Sequence, residues 1–449
     1  MRKKRQALLV NPWIYDFACY DLFAKPIGLL KIARLLHNLG LEIDFIDCLD
    51  RLHPEMLKFS PFQNLSGSGK YYYEVVEKPS IFKEIPRRYK RYGMPPRVFE
   101  DLLKKIKKPD IILVTSGMTY WYRGVFEIIE ILKTRYPDIP IILGGIYATL
   151  YYKHALKHSG ADFVFKGGDF KELLYLMGKI LRRDFSCQKI DSYLFPFYEL
   201  YPCNGYIALR TSSGCPFKCS YCGWYLLEAT VHQRDPKEVC SEILYFHRRL
   251  KVKNFAFYDD ALLYNPDKHI KIILKEILNY NVSLNFYTPN GLNACFLDEE
   301  LAFLFKKANF IQPRLGLETA SSRRQKITGG KVNLHTITQA VNFLKQAGYS
   351  SSEIGIYLLM GLPGQSFAEI KDSIYYAHSL KVRVYLEEYS PVPGTPEYQN
   401  AKLDENLNPL WHNNSVFPLY KGNYHRFQKL KDLNHKLNER LVRRRGGNV

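Results

Sequence analysis

Three cysteines within eight residues restrict both the fold and the chemistry of the surrounding chain: Cys215, Cys219 and Cys222. They follow a short apolar run at 207–209 and a turn-like segment at 211–214, which predicts a loop that leaves a strand. Three thiolates on such a loop can bind one inorganic centre. They are one ligand short of a closed tetrahedral zinc site or of a fully capped iron–sulfur cube. A cube held by three cysteines leaves one iron open to bind a small molecule.

Zinc is the alternative for the same motif. Cys203, His232 or Cys240 would then have to supply the fourth ligand. Structural zinc usually draws its ligands as two close pairs, and this segment offers a close triplet. The spacing therefore favours the iron–sulfur cube over zinc.

Residues 206–396 repeat a strand and a helix six times. The strands are predicted at 207–209, 255–258, 284–287, 311–315, 354–359 and 384–388, and the helices begin near Pro236, Asp267, Asp298, Leu334 and Ser366. Six parallel units of this kind predict a partial (β/α)6 barrel of the TIM type. Its chemistry is expected at the mouth formed by the carboxyl ends of the strands.

Polar residues stand where that mouth is predicted. Asp259 and Asp260 follow the second strand, Asn290 follows the third, and Arg314 and Glu318 lie on or just beyond the fourth. Glycine- and proline-rich turns at 361–364 and 391–396 follow the last two strands. The pattern predicts a polar site at one end of the barrel.

The cysteine spacing, with Tyr221 directly before the third cysteine, closely resembles the cluster motif of the radical S-adenosylmethionine (SAM) superfamily. In that superfamily the open iron of a [4Fe–4S] cluster is chelated by SAM, and reduction releases a 5′-deoxyadenosyl radical. The resemblance implies that the three cysteines hold the cluster. It also implies that SAM is bound by Asp259, Asp260, Asn290 and Glu318, with Tyr221 against the adenine.

Residues 1–182 alternate strands with helices and end several strands on glycine. The strands are predicted at 7–10, 41–46, 111–115, 141–143 and 161–165. This alternation predicts a doubly wound, flavodoxin- or Rossmann-like parallel sheet that binds ligands beyond the carboxyl ends of its strands.

This first domain resembles the cobalamin-binding domain that precedes the radical SAM domain in one branch of the superfamily. The resemblance implies a cobalamin site built by Asn11, Ser116, Thr119, Gly144, Gly145 and Ala148. The alternative is a flavodoxin-like domain that binds nothing. Since no Asp-x-His-x-x-Gly motif follows the first strand, we expect base-off cobalamin without a protein imidazole on cobalt.

The remaining segments have less specific patterns. Residues 71–97, rich in tyrosine, proline and arginine, are predicted to be a long surface loop, and residues 183–205 a linker. Residues 397–449 are predicted to form a basic helical segment that either closes over the substrate pocket or packs on the barrel. Cys187, Cys203, Cys240 and Cys295 are isolated and predicted to be small buried residues.

Composition limits the class of protein. A chain of 449 residues with 46 % hydrophobic residues predicts two or three globular domains. With no signal-like or membrane-spanning run, we expect a reducing, cytoplasmic setting. The formal net charge of +20 is dispersed over the chain and leaves a nucleic-acid partner open.

The two resemblances together imply a cobalamin-dependent radical SAM enzyme that transfers a methyl group to an unactivated carbon of a small-molecule substrate. Flavodoxin or ferredoxin would supply the electron. A cyclase or rearrangement enzyme, with a vestigial or non-methylating cobalamin domain, is the alternative within the superfamily. The alternative from another class is a basic, zinc-holding nucleic-acid-binding module.

Overall fold

A computed structural model describes residues 4–59, 64–185, 194–228, 230–404 and 406–443. The chain divides into two compact units. The first comprises Met1–Gly205 with Asn406–Leu410, and the second comprises Tyr206–Glu405 with Trp411–Val449. Among the described helices, none is both long enough and apolar enough to cross a membrane.

A five-stranded parallel sheet forms the centre of the first unit. Its strands are β1 (Gln6–Asn11), β2 (Glu42–Asp47), β3 (Ile111–Val114), β4 (Ile141–Leu143) and β5 (Phe163–Val164). The strand order β5-β4-β3-β1-β2 is that of a flavodoxin-like doubly wound fold, so the predicted architecture is confirmed. The helices of this unit are Ile27–Asn38, Pro54–Leu57, Pro96–Lys105, Tyr122–Arg135, Ile146–Leu150, Tyr152–His158 and Phe170–Leu181.

The sequence of β1 explains its central place. Its residues Ala7, Leu8, Leu9 and Val10 are all fully buried, as a strand covered on both faces requires. On one face, the apolar sides of the helices Ile27–Asn38 and Phe170–Leu181 complete the core. This packing directs the carboxyl ends of β1, β3 and β4 to one edge of the unit.

The prediction of a surface loop at 71–97 is wrong. Within it, Tyr73–Val75 and Lys90–Tyr92 are strands that form a small antiparallel sheet with Ile14–Asp16. Phe82 and Tyr89 are at most 1 % exposed. The segment folds because its aromatic side chains bury enough apolar surface to form a local core. A further short pair joins Tyr20–Asp21 to Gly69–Lys70.

The second unit contains the six predicted parallel strands. They are β6 (Ile207–Leu209), β7 (Asn254–Phe257), β8 (Asn285–Tyr287), β9 (Arg314–Glu318), β10 (Gly355–Met360) and β11 (Arg383–Glu388). Strands β6–β8 and β9–β11 form two three-stranded ladders. Isolated parallel bridges at Phe286–Phe310 and Leu292–Leu315 link the ladders, which gives the predicted partial barrel.

Helices alternate with these strands, and six of the eight have a side-chain cap at the N-terminus. They are Trp224–Leu227, Pro236–Leu250, Ile270–Asn279, Glu299–Lys307, Ser322–Ile327, Leu334–Gln346, Phe367–Ser379 and Pro396–Asn400. Side chains of Asp235, Asp298, Asn333 and Ser366 accept hydrogen bonds from backbone N–H groups of the first turns. These caps fix where each helix starts and therefore how long each strand–helix loop is.

The C-terminal helix, Tyr424–Arg443, packs on the last barrel strand. Phe427, Leu430 and Asn434 are buried. The side-chain amides of Asn434 and Asn438 donate to the carbonyl of Val384 in β11. The described residues of this helix therefore pack on the barrel.

The isolated cysteines differ from the prediction in part. Cys240 is buried, but Cys203 and Cys295 are exposed, so the prediction was wrong for these two. Both lie where a turn leaves the side chain at the surface, a feature that composition does not reveal. Cys187 lies outside the described residues, as do residues 186–193 of the predicted linker, which stays a prediction.

Candidate functional site

The cysteine loop, residues 214–223, leaves the carboxyl end of β6 through a short antiparallel pairing of Ser212–Ser213 with His232–Gln233. Ser220 fixes its far side. The Ser220 N–H donates to the carbonyl of Thr328 at 3.1 Å, and its hydroxyl donates to Glu397 at 3.0 Å. The loop is thus held between two later parts of the same unit.

The three predicted cluster ligands lie on this loop with different burial. Cys219 is 6 % exposed, and Cys215 and Cys222 are half-buried. Among the described residues, only Asp267, Asp298 and Glu300 bring three potential ligand atoms within 4.8 Å of one another. A tetrahedral zinc ion with Zn–S bonds of ~2.3 Å would hold thiolates at roughly 3.8 Å. The three cysteines do not form such a compact group among the described residues, so their arrangement gives the zinc alternative no support.

Two of the alternative zinc ligands are also engaged elsewhere. The Cys240 thiol is buried in the helix Pro236–Leu250 and donates to the carbonyl of Ile273 at 3.6 Å. His232 belongs to the strand pair that precedes the loop. Neither forms a metal-ligand group with the three cysteines among the described residues.

Lys331, which no sequence motif singles out, places a positive charge next to the cysteine loop. The ammonium of Lys331 lies 2.7 Å from the Glu318 carboxylate, and both side chains are 17 % exposed. Lys331 also lies 6.0 Å from the centroid of the Tyr221 ring. Burial acts to lower the pKa of Lys331, but attraction to Glu318, Cys219 and Cys222 outweighs it, so the pKa is raised. Lys331 is therefore a fixed cation next to the thiols.

Burial is the largest influence on the pKa values of the three thiols. It raises the pKa of Cys215 and Cys219, and it raises that of Cys222 to about 11. The positive charge of Lys331 opposes the rise at all three. Without a metal the thiols stay protonated at neutral pH, so binding a cluster requires proton release.

Glu318 is held in a conformation that a residue with a side chain rarely adopts. It has φ +61°, and the ladder between β9 and β10 is irregular between Gly316 and Glu318. One carboxylate oxygen, Oε1, accepts from Lys331, whereas Oε2 is buried and has no hydrogen-bond partner. Backbone strain combined with an unsatisfied buried acceptor is typical of a ligand-binding residue. Oε2 can accept a hydrogen bond from a ligand ammonium.

Asp259 has a structural task in addition to its predicted role. Its Oδ1 accepts from the backbone N–H and the hydroxyl of Thr211 at 2.9 and 2.8 Å. The same oxygen accepts from the N–H and hydroxyl of Ser212 at 2.5 and 2.6 Å. Asp259 thus fixes the turn that leads into the cysteine loop, and its Oδ2 is buried without a partner.

Asp260 is a buried carboxyl near the cysteine loop. Its side chain is 1 % exposed, and the guanidinium of Arg210 lies 3.6 Å away. Burial raises the pKa of Asp260 to about 8, against the opposing attraction of Arg210. Neither carboxyl oxygen has a hydrogen-bond partner. Asn290 lies close by, because its amide donates to the carbonyl of Asp259 at 3.1 Å.

The structure therefore brings the predicted residues of the second unit to one end of the barrel. The cysteine loop, the aspartate pair and Asn290 follow β6, β7 and β8, and Glu318 is the last residue of β9. Tyr221 lies on the cysteine loop itself, between Cys219 and Cys222. Which of these residues contact SAM stays a prediction.

In the first unit, four of the predicted cobalamin residues meet beyond β3 and β4. The Ser116 hydroxyl donates to the carbonyl of Gly144 at 2.6 Å and accepts from the N–H of Ala148 at 3.3 Å. Gly145 has φ +93°, and a side chain there would lie 2.3 Å from the Ser116 carbonyl oxygen. Gly145 is needed for this close packing, whereas the nearest atom to a side chain on Gly144 would be 4.0 Å away.

The other two residues lie on neighbouring segments of the same edge. Asn11 ends β1 and donates to Asp47 at the end of β2 at 2.7 Å. Thr119 is buried in the short helical turn Thr119–Trp121 that follows β3. Gly144 and Gly145 are open to solvent on their outer side, so a large flat ligand can approach the backbone there. The edge fits cobalamin in this respect.

His154 follows the glycine pair in the same unit and is engaged within the protein. Its Nδ1 lies 2.7 Å from the Tyr147 hydroxyl, and its ring packs against Tyr122 and Phe126. Burial and the neighbouring His158 lower the pKa of His154 to about 4. The absence of a protein imidazole on cobalt stays a prediction.

Comparison with known families gives a match to part of each unit. A model described as the radical SAM superfamily matches residues 209–377. A model described as the B12 binding domain matches residues 91–173. A radical SAM domain implies a [4Fe–4S] cluster and SAM as cofactors, and the second match supports cobalamin. The zinc-holding alternative has no support from either match.

Relatives agree with this assignment at low identity. An uncharacterized methyltransferase of Pyrococcus horikoshii is 24 % identical over 337 residues, 68 % of this chain and 72 % of its own. An anaerobic magnesium-protoporphyrin IX monomethyl ester cyclase of Rubrivivax gelatinosus is 24 % identical over 276 residues, 54 % of this chain. This chain spans only 49 % of that cyclase and 60 % of its counterpart from Synechocystis.

Solved structures share the fold. The radical SAM methyltransferase TsrM from Kitasatospora setae matches with a TM-score of 0.64 at 16 % identity, over 88 % of this chain and 75 % of its own. The cobalamin-dependent SAM radical enzyme OxsB matches with a TM-score of 0.56 at 13 % identity, over 97 % and 62 %. The matches show that this chain carries a radical SAM domain at residues 209–377 and a B12-binding domain at residues 91–173.

Proposed function

We propose that this enzyme reductively cleaves SAM and uses cobalamin to transfer a methyl group to an unactivated carbon of a small-molecule substrate. Cys215, Cys219 and Cys222 would hold the cluster, which would supply the electron for cleavage of one SAM to methionine and a 5′-deoxyadenosyl radical; cobalamin would carry a methyl group taken from a second SAM, which becomes S-adenosylhomocysteine. Flavodoxin or ferredoxin is the proposed electron donor.

The observation that carries this proposal is the arrangement around the cysteine loop. Three thiols, the Lys331–Glu318 pair and the buried carboxyls of Asp259 and Asp260 lie at one end of the barrel. The chain's own residues have separate tasks there: the thiols hold the cluster, Lys331 supplies a fixed positive charge, and Glu318 accepts from the SAM ammonium through its free oxygen. Tyr221, Asp260 and Asn290 are proposed to complete the SAM site.

In the first unit, Asn11, Ser116, Thr119, Gly144, Gly145 and Ala148 are proposed to form the cobalamin edge. The exposed backbone at Gly144 supports close approach of a flat ligand. No imidazole is proposed as a cobalt ligand. Paramagnetic resonance of the Co(II) form tests this point, since a coordinated nitrogen would split the cobalt lines into triplets.

The cleavage step is tested with anaerobically reconstituted protein, reduced chemically and assayed for 5′-deoxyadenosine by mass spectrometry. Alanine variants of Cys215, Cys219 and Cys222 should lose both iron and product. Cys203→Ala is the matched control, because Cys203 is exposed and lies outside the cysteine loop. Stoichiometric zinc in place of iron in protein purified without oxygen would contradict the proposal.

Ring formation or rearrangement is the second candidate, favoured by the sequence similarity to anaerobic cyclases. SAM with a deuterated methyl group separates the two reactions. Methyl transfer moves the label into the substrate, and cyclisation leaves the product unlabelled.

A further inference from the structure

A cavity of about 560 Å³ lies in the first unit between the segments at 17–20, 70–73 and 87–92. We call it the basic pocket, and its walls include Tyr20, Lys70, Tyr73, Arg87, Arg88 and Lys90. Its volume is within the range of about 300–1,000 Å³ that is usual for small-molecule sites. None of the six residues predicted for cobalamin lines it.

The charge of the basic pocket is one-sided. Four of its lining residues are Lys or Arg, and none is Asp or Glu. In the part of the chain that the structure describes, Lys70, Arg88 and Lys90 have no carboxylate within ion-pair distance. Unpaired cations that converge on one cavity repel one another, and an anion that binds there removes this cost.

Charged residues next to the basic pocket are paired, so the excess of positive charge is confined to the pocket. Arg91, the next residue along the strand, is paired with both Glu74 and Glu127. Asp16 and Asp21, which flank the 17–20 segment of the pocket wall, are also engaged. Asp16 accepts from the Trp121 indole at 2.8 Å, and Asp21 accepts from Arg51 at 2.9 Å. Neither of these contacts involves a cation of the pocket.

Aromatic rings stand among the cations. Tyr20 and Tyr73 are 45 % and 47 % exposed, in a segment whose other tyrosines are largely buried. The Lys90 ammonium lies 4.0 Å from the centroid of the Tyr73 ring. An exposed ring next to a fixed ammonium offers one surface for stacking a planar base and one charge for a phosphate.

We propose that the basic pocket binds a nucleotide, with the base against the tyrosine rings and the phosphates on Lys70, Arg88 and Lys90. Arginine favours phosphate because its planar fork donates two parallel hydrogen bonds, and lysine adds point charge. None of the residues proposed to bind SAM or cobalamin lines this pocket, so the proposal does not depend on those sites. Part of the pocket wall belongs to the folded segment at 71–97, which the sequence predicted to be a surface loop.

The test is fluorescence anisotropy of a fluorescently labelled ADP with the full chain. We expect saturable binding that unlabelled ADP and inorganic pyrophosphate displace and that excess SAM does not. Arg88→Glu with Lys90→Glu should weaken binding by about tenfold or more, and Tyr73→Ala by about fivefold. Lys153→Glu with Lys157→Glu is the charge-matched control, since both lysines are exposed on another helix of the same unit.

Thermal unfolding of every variant verifies that the fold is retained, and Lys70→Met provides a change that introduces no negative charge. Absence of binding, displacement by SAM, or equal weakening in the control variant would each overturn the proposal. So would binding of a polynucleotide without binding of ADP. Loss of cobalamin in the pocket variants without any ADP binding would show that the pocket belongs to the cobalamin site, and would also overturn it.

Discussion

Lys331 and Glu318 form a largely buried ion pair of 2.7 Å, 13 residues apart in sequence, directly beside the cysteine loop. The pair uses only one oxygen of Glu318 and leaves the other buried and free. Because Lys331 is also close to the thiols, a single ammonium connects the proposed SAM residue to the proposed cluster ligands. The arrangement places a fixed positive charge beside the cysteine loop before any ligand binds.

Removing that charge should make the cluster harder to reduce. In Lys331→Met we expect the reduction potential to fall by on the order of 60 mV, which equals about 1.4 kcal/mol for one electron. The physical reason is that a nearby cation stabilises the reduced, more negative cluster. Spectroelectrochemical titration of the reconstituted protein measures the shift without relying on turnover.

Lys331→Arg is the matched control for this charge. Arginine keeps the positive charge, so its potential should stay close to that of the parent. If the methionine and arginine variants have the same potential as the parent, Lys331 does not act on the cluster electrostatically.

The fold of the loop should depend on Asp259 more than on Asp260. Asp259→Ala leaves four donors of Thr211 and Ser212 without their acceptor, and we expect a loss of about 3–5 kcal/mol in the free energy of unfolding. Asp260→Asn removes no hydrogen bond and avoids the need to protonate a buried carboxyl, so it should not lower stability at neutral pH. Denaturant unfolding of the cluster-free protein measures both. Equal losses would show that Oδ1 of Asp259 is not a structural acceptor.

Asp260 should also give the cluster-free protein a pH-dependent stability. Its pKa is about 8 in the folded state against an ordinary value of 3.8, because the carboxyl is buried. Between these values the folded state holds a proton that the unfolded state has lost. The free energy of unfolding should therefore fall as pH rises through this interval, by at most about 1.4 kcal/mol per pH unit.

Asp260→Asn removes this titration, so its stability should decline less with pH than that of the parent. The comparison is made between the two proteins at each pH, since other buried acids such as Asp50 also titrate in this range. Parallel curves would mean that Asp260 is not buried as a protonated acid.

The two adjacent glycines of the cobalamin edge should respond differently to the same change. In Gly145→Ala the new methyl group would lie 2.3 Å from the Ser116 carbonyl at a positive φ, so we expect a loss of several kcal/mol in stability. Gly144→Ala has room and should keep the melting temperature of the parent. If cobalamin approaches the backbone there, Gly144→Ala should still retain less cobalamin after reconstitution. Full retention would place the corrin elsewhere.

The sequence predicted the architecture well because both sheets are parallel and buried. Strands such as 141–143 read as continuous apolar runs, and the observed strand has the same bounds. The strand predicted at 311–315 is instead Arg314–Glu318. Gln312 has φ +54°, outside the extended region, so the backbone turns just before the strand, and apolar periodicity carries no signal for such a turn.

The site was predictable only where spacing carries chemistry. The cysteine triplet and the aspartate pair are local motifs, so both could be recognised from the sequence. Lys331 could not, because its contact with Glu318 depends on the turn at Gly329 and Gly330, both with positive φ. Two consecutive glycines before a single lysine are a weak signal for such a turn. The pocket built by residues 71–97 was missed for the same reason, since its parts meet only after folding.

The central claim is that three cysteines hold a [4Fe–4S] cluster whose fourth iron is open to SAM. Electron paramagnetic resonance of the reduced, reconstituted protein tests it most directly, with and without SAM. We predict about four irons per chain, a cluster signal that shifts when SAM is added, and further broadening with SAM labelled by ¹⁷O in its carboxylate. Cys295→Ser should give the same spectra, because the exposed Cys295 is not proposed as a ligand. A cluster signal that SAM leaves unchanged, or a protein that binds zinc and no iron, would contradict the claim.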